Sequence, residues 1–153
     1  MRRKILVVAS RLCNGCRRCE MYCSLRFCGG CNPFYSRIRI IRLEGDNGYA
    51  PVICRQCSNP PCQAACPVGA IKTNPKIDAF EIDEALCIGC AICIDACPIG
   101  AISIDPTDTI IMCDLCHGDP LCVKFCHDRA IQYVDRVNVS QERRFSMGKA
   151  PEG

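Results

Sequence analysis

Apolar residues along this chain come in short runs. Ile5–Ala9 is apolar throughout and reads as a buried strand ahead of the first cysteines. Arg37–Leu43 alternates in part, through Ile38, Ile40 and Leu43. Phe80-Glu81-Ile82-Asp83 alternates, as do Ala101-Ile102-Ser103-Ile104-Asp105 and Ile131-Gln132-Tyr133-Val134, and each predicts a small strand. Two other stretches are near copies, Cys66-Pro67-Val68-Gly69-Ala70-Ile71 and Cys97-Pro98-Ile99-Gly100-Ala101-Ile102. Each reads as a passage from helix to strand, and their likeness points to duplication. Val137–Gly153 is polar, with Ser, Gly and Pro, and reads as a partner-docking arm or as disorder.

No run approaches the roughly 20 apolar residues that span a bilayer. Arg2-Arg3-Lys4 ahead of Ile5–Ala9 has the outline of a signal peptide, but the apolar stretch falls short of the roughly 7–15 residues needed and no small-residue cleavage site follows. It is equally short for a twin-arginine signal. The expected location is the cytoplasm.

Cysteine changes the picture. The chain has 18 cysteines among 153 residues, about 12%, where above roughly 8–10% a cross-linked or metal-filled scaffold is the usual reading. Leu, Ile, Val and Phe together number only 37, and Trp is absent. The apolar core is therefore thin, and something else is expected to fill the interior. In a reducing cytoplasm so many thiols argue for metal ligands rather than disulfides.

Sixteen of the cysteines fall into four groups. Cys13, Cys16, Cys19 and Cys23 read C-x2-C-x2-C-x3-C; Cys54, Cys57, Cys62 and Cys66 read C-x2-C-x4-C-x3-C-P. Cys87, Cys90, Cys93 and Cys97 read C-x2-C-x2-C-x3-C-P; Cys113, Cys116, Cys122 and Cys126 read C-x2-C-x5-C-x3-C. The third group is the bacterial ferredoxin run for a 4Fe–4S cluster. Three cysteines of one tight loop reach three irons of a cubane, and the fourth cysteine of each run is expected to start a helix and ligate the other cluster of a pair. Pro67 and Pro98 suit a chain that turns there without a backbone N–H. Four such groups predict four clusters, with three as the lower count if one group is altered. Structural zinc is the competing reading, although zinc sites show two separated C-x2-C pairs. The expected fold is α+β: two fused bacterial-ferredoxin-like units, with short antiparallel hairpins and short helices around the clusters.

Charge is segregated. Residues 1–44 hold ten Lys or Arg against Glu20 and Glu44, whereas residues 77–123 hold nine Asp or Glu and no Lys or Arg. The basic third is a solvated face or a dock for an acidic partner. Four clusters at about −2 each turn the formal +3 into about −5, so a nucleic-acid role does not follow from the charge of the bare chain.

From Leu12 to Val134 the chain resembles the iron–sulfur subunits of the DMSO-reductase type, which include the ferredoxin-like subunits of formate dehydrogenases, formate hydrogenlyase and carbon monoxide dehydrogenase. The resemblance rests on the sixteen cysteines in order and on Cys66-Pro67 and Cys97-Pro98. It implies that Cys13, Cys16, Cys19 and Cys126 hold one cluster and that Cys113, Cys116, Cys122 and Cys23 hold its partner. Cys54, Cys57, Cys62 and Cys97 would hold a third, and Cys87, Cys90, Cys93 and Cys66 a fourth. Residues 1–53 and 105–136 then form an outer unit, 54–104 an inner unit and 137–153 a tail. The run Ala9-Ser10-Arg11-Leu12-Cys13-Asn14-Gly15-Cys16-Arg17-Arg18-Cys19-Glu20 is also similar to the small subunits of tungsten enzymes of the aldehyde oxidoreductase family, which include bacterial aldehyde oxidoreductases and tungsten-type benzoyl-CoA reductase.

What the resemblance implies is a non-catalytic electron-transfer subunit in a hetero-oligomer. It would carry electrons between a large catalytic subunit with a tungsten or molybdenum pterin and a flavin subunit or soluble ferredoxin. A free-standing polyferredoxin is the alternative, and a zinc-binding interaction module ranks below it. No G-x-G-x-x-G, P-loop or G-x-S-x-G is present, so there is no catalytic motif to set against this. Gly15, Gly69, Gly89 and Gly100 are expected to let backbone N–H groups approach the clusters. Ile88, Ile92, Ile94 and Ile99 are expected to keep water off the third group. Cys126 is followed by His127 and Cys23 by Ser24, where the other two groups have Pro. His117 and His127 read as neighbours of ligands rather than ligands. Cys28 and Cys31 lie outside the pattern: structural or free thiols, a substitute ligand, or a small metal site.

Overall fold

The structure is a computed structural model and describes residues 4–45 and 48–136. Arg2-Arg3 and the polar tail Val137–Gly153 lie outside the described residues. In chain order the elements are β1 (Lys4–Val8), α1 (Arg18–Cys28), β2 (Ile38–Arg42), β3 (Tyr49–Ile53), α2 (Pro61–Ala65), β4 (Ile71–Asn74), β5 (Ala79–Ile82), α3 (Ile92–Asp95), β6 (Ser103–Ile104), β7 (Ile110–Ile111), α4 (Leu121–Lys124) and β8 (Ile131–Asp135). The strands pair antiparallel into four two-stranded ribbons: β1 with β8, β2 with β3, β4 with β5, and β6 with β7. The first ribbon joins the two ends of the described chain, with Lys4 opposite Asp135 and Val8 opposite Ile131. The α+β class with short antiparallel hairpins and short helices is therefore the observed one.

Neither element type stands alone. A lone two-stranded ribbon is marginal in water, and helices of four or five residues lie far below the length that is stable in isolation. Packing supplies the difference. Helix α1 packs on α4, where the rings of Tyr22 and Phe125 stack with centroids 3.5 Å apart. Helix α2 packs on α3. Ile38, Ile53, Ile71, Phe80, Ile102, Leu115 and Ile131 are buried in one core, interleaved with Cys19, Cys23, Cys54, Cys62, Cys93, Cys113 and Cys122. Each such Ile, Leu or Phe contributes about 1.5–3 kcal/mol on burial.

Two buried polar side chains, Glu20 and Gln56, and the exposed Arg39 tie the ribbons together, and the sequence pattern singled out none of them for this. Glu20 accepts from the Ile40 N–H at 2.6 Å, fixing α1 to β2. Gln56 is fully buried; its Nε2 donates to the Cys113 carbonyl at 2.8 Å, and its Oε1 accepts from the Phe80 N–H at 2.8 Å. Arg39 donates from its guanidinium to the Gly100 carbonyl.

Two local expectations change. Ile5–Ala9 does not form a strand buried throughout. The strand is Lys4–Val8 and only Leu6 is buried, because a two-stranded ribbon covers one face and leaves the other open. The fourth cysteines also do not start helices. The third cysteine of each group lies at the second position of its helix, and Cys66, Cys97 and Cys126 follow the helix end. Cys66 is extended, with φ −72° and ψ 113°. Pro67 disfavours the helical region for the residue before it, so the helix stops there. Cys23 differs, because α1 runs through it to Cys28.

Candidate metal centres

The first C-x2-C of each of the four groups makes the same backbone turn. The residue just before the second cysteine is left-handed in all four: Gly15 at φ 75°, Gln56 at 49°, Gly89 at 68° and Leu115 at 56°. Glycine adopts this conformation freely. Gln56 and Leu115 are completely buried, and their packing holds the backbone there despite the side chain. A second turn recurs after the fourth cysteine. Gly69, Gly100 and Arg129 are left-handed, and their N–H groups donate to the Cys66, Cys97 and Cys126 carbonyls at 3.3, 3.1 and 3.3 Å. Gly15, Gly69, Gly89 and Gly100 all hold left-handed turns; Gln56, Leu115 and Arg129 are their non-glycine counterparts, which composition does not reveal.

A side chain at Gly15 would be strained and crowded. A Cβ there falls 2.6 Å from Cδ2 of Tyr49, inside van der Waals contact. Gly15→Ala is expected to cost about 1–3 kcal/mol from the backbone strain and the displaced ring. Thermal unfolding of the metal-loaded protein checks it; an unshifted midpoint would show that Tyr49 yields freely.

The turns gather the thiols into sets. Cys13, Cys16, Cys19 and Cys126 line one hollow. Cys23, Cys113, Cys116 and Cys122 line a second. Cys66, Cys87, Cys90 and Cys93 line a third. The remaining four also stand together, since Cys54 feels the charges of Cys62, Cys57 and Cys97. Each set therefore combines three cysteines of one group with the fourth cysteine of another. The sets are neighbours in a row: Cys122 interacts electrostatically with Cys19, Cys113 with Cys54, and Cys93 with Cys62. At the two ends of the row Cys16 and Cys90 are exposed.

The surroundings suit a polynuclear thiolate-bound group. Among the described residues no three His, Cys, Asp or Glu side chains close on a single ion. The thiols instead stand around open space, unlike ligands drawn to about 2.3 Å from one zinc. Sulfurs accept backbone N–H groups: Cys23 from Arg37, Cys66 from Ala70 and Cys97 from Ala101, each at 3.3 Å. Burial pushes the Cys19 and Cys54 thiols up to about 12, and Cys113 and Cys122 well above the ordinary range. Bound iron would offset the penalty of forming those thiolates. Burial also raises Cys66, but the N–H groups of Ala70, Val68, Ile71 and Gly69 outweigh it and hold this thiol below its usual range. Arg37 adds a buried Nε donor with no acceptor beside the second hollow.

Of the isoleucines expected to keep water off the third group, Ile88 lines the hollow of Cys66, Cys87, Cys90 and Cys93 while staying 65% exposed, whereas Ile92, 44% exposed, does not line it. Ile94 and Ile99 are half-buried. Ile88 and Val68, at the rim of that hollow, form an exposed apolar collar with Leu86. His117 faces Glu81 and Asp114, and His127 faces Asp128; neither lines a hollow among those described. Cys28 and Cys31 are exposed free thiols at the end of α1, and the Cys28 thiol donates to the Gly30 carbonyl at 3.2 Å.

Short antiparallel ribbons and small helices around cysteine-lined hollows define a ferredoxin-like iron–sulfur protein. The 4Fe–4S dicluster domain family matches residues 46–136, more than half of the sequence, and the chain belongs to that family. It is 40% identical over 125 residues to the polyferredoxin-like subunit of aliphatic sulfonate oxidoreductase from Pyrococcus furiosus, spanning 80% of this chain and 71% of that one. It is 36% identical over 133 residues to an uncharacterized ferredoxin of Methanocaldococcus jannaschii, spanning 86% and 73%. It is 32% identical over 133 residues to subunit beta of the NADH-dependent phenylglyoxylate dehydrogenase of Aromatoleum evansii, but covers only 30% of that protein. In fold it is similar to a chain of the active-site complex BamBC of benzoyl coenzyme A reductase, with a TM-score of 0.52, 24% identity, and coverage of 96% of this chain and 91% of that one. No helix among the described residues is long and apolar enough to cross a membrane.

Proposed function

We propose that the chain is the electron-transfer subunit of an oxidoreductase complex and binds four 4Fe–4S clusters in a row. The carrying observation is the grouping of sixteen cysteines into four neighbouring sets, each drawn from two sequence groups. Cys13, Cys16, Cys19 and Cys126 would hold the first cluster; Cys23, Cys113, Cys116 and Cys122 the second. Cys54, Cys57, Cys62 and Cys97 would hold the third; Cys66, Cys87, Cys90 and Cys93 the fourth. When bound, the clusters supply one-electron redox chemistry. The chain's own part is to fix the thiolates, direct backbone N–H groups at sulfur and keep the two middle sites from solvent.

On this reading residues 1–53 with 105–136 form one ferredoxin-like unit and 54–104 the other, a division supported by the β1–β8 ribbon, the α1–α4 packing and the α2–α3 packing. The polyferredoxin-like relative, a subunit of an oxidoreductase, supports a place beside a catalytic subunit, and the sequence resemblance implies a tungsten or molybdenum pterin there. The chain itself would carry no bond chemistry. Iron and sulfide analysis with EPR of the dithionite-reduced protein tests the reading. About 16 iron atoms per chain support it, and zinc without sulfide ends it. Elution of the natural protein alone, active with several donors, would replace the subunit by a free carrier.

The ends of the row differ chemically. Exposed Arg11, Arg17 and Arg18 surround the Cys16 end, whereas the Cys90 end carries the apolar collar. The basic end suits an acidic partner. Reversing Arg11 and Arg18 to Glu is expected to slow electron exchange with a small acidic ferredoxin at least about tenfold at low salt. Stopped-flow mixing checks it, and the difference should vanish near 1 M salt, where screening acts within about 3 Å. A salt-independent effect would reject electrostatic docking.

A further inference from the structure

Arg37 is held on every side but one. The Ser36 hydroxyl donates to the Ile38 carbonyl at 2.6 Å and fixes the turn into β2. The Arg37 N–H donates to the Cys23 sulfur at 3.3 Å. The guanidinium lies 3.4 Å above the centre of the Phe27 ring, and its Nη1 is 3.5 Å from Asp114 Oδ2. Asp114 is itself fixed, because its Oδ1 accepts from the Cys116 N–H at 2.9 Å. The Arg37 Nε donor is buried and has no hydrogen-bond partner, and the residue lines the hollow of Cys23, Cys113, Cys116 and Cys122. A buried donor without an acceptor is costly, and sulfur of an anionic group in that hollow is the acceptor the site offers. The positive charge of Arg37 is opposed by the Asp114 carboxylate, which lines the same hollow.

We infer that Arg37 is a positioning residue that raises the reduction potential of the group held by Cys23, Cys113, Cys116 and Cys122, with Asp114 opposing it. This rests on the reading of that hollow as a cluster site. Reduction adds one negative charge, which a guanidinium directed at the sulfurs stabilises and a nearby carboxylate disfavours. The pair therefore sets the potential of one site without any change of ligand.

The test is an EPR-monitored redox titration of the intact, metal-loaded protein. Arg37→Met keeps the length and the packing on Phe27 but removes the charge and the donors. One of the four couples is expected to fall by about 60 mV, a tenfold change in its one-electron equilibrium, while the other three stay. Asp114→Asn should move the same couple upward, and Arg37→Lys should lower it less than Arg37→Met. Full iron content with all couples unmoved in Arg37→Met, or a downward shift in Asp114→Asn, overturns the proposal. Should Arg37→Met lose iron, Arg37→Lys decides: iron lost there too assigns Arg37 a purely structural role, and iron kept with a smaller fall supports tuning. Wild-type protein that holds zinc without sulfide would instead sink the cluster reading, a result recognisable before any variant is made.

Discussion

Replacing Cys90 by alanine is expected to lower the iron content of the purified protein from about 16 to about 12 atoms per chain and to stop electron flow at one end. Cys90 is exposed and is the outermost thiol of its set, so the substitution leaves no buried cavity and little else to unfold. The other three thiols of that set, Cys66, Cys87 and Cys93, stand on different turns and do not replace it. Reduction through the Cys16 end should persist while transfer out at the Cys90 end fails. Cys31→Ala is the matched control: Cys31 is equally exposed but lines none of the hollows, and iron should remain at about 16. Colorimetric iron and sulfide assays on both variants read the result. Equal iron loss in the two, or in neither, would break the assignment of Cys90.

Gln56→Ala is expected to destabilise the protein by about 2–5 kcal/mol, among the largest losses from a single non-cysteine change. Two mechanisms add. The Cys113 carbonyl and the Phe80 N–H each lose a buried partner at 2.8 Å, and both belong to segments packed away from water. The truncation also leaves a cavity where a fully buried side chain stood. Gln56→Glu should be no better, since it turns a carboxylate oxygen toward the Cys113 carbonyl in place of the donor and buries a charge. Denaturant unfolding of the metal-loaded protein, followed by absorbance and by circular dichroism, measures both. A loss under about 1 kcal/mol would mean that water replaces the amide.

The cysteines made most of the site legible. Their spacing marked out four groups, whereas the combination of cysteines from different groups came from the family resemblance and not from the spacing. The short strands were legible from alternation at Phe80–Asp83 and Ile131–Val134, because a half-covered ribbon writes its two faces into the sequence. Ile5–Ala9 misled for the same reason: its open face is apolar too, so no alternation marks it. Gln56, Glu20 and Arg37 were not legible as a brace, a tie and a donor. Each acts through backbone groups or thiols distant in sequence, and a lone polar residue carries no period. Helix ends were misjudged because four-residue helices are set by the loops around them rather than by propensity.

The pairing of β1 with β8 bears on how the protein is made. Cys13, Cys16 and Cys19 leave the ribosome well before the thiol that completes their set, Cys126, which lies just before β8 at the other end of the described chain. The set built from residues 54–97 is closed by a far shorter loop, which costs less entropy and forms sooner. The middle of the chain can therefore accept metal while its ends are still open, and the two end-built sites complete last. Until then Cys13, Cys16 and Cys19 wait as reduced thiols, and oxidative damage during synthesis should strike that triplet first.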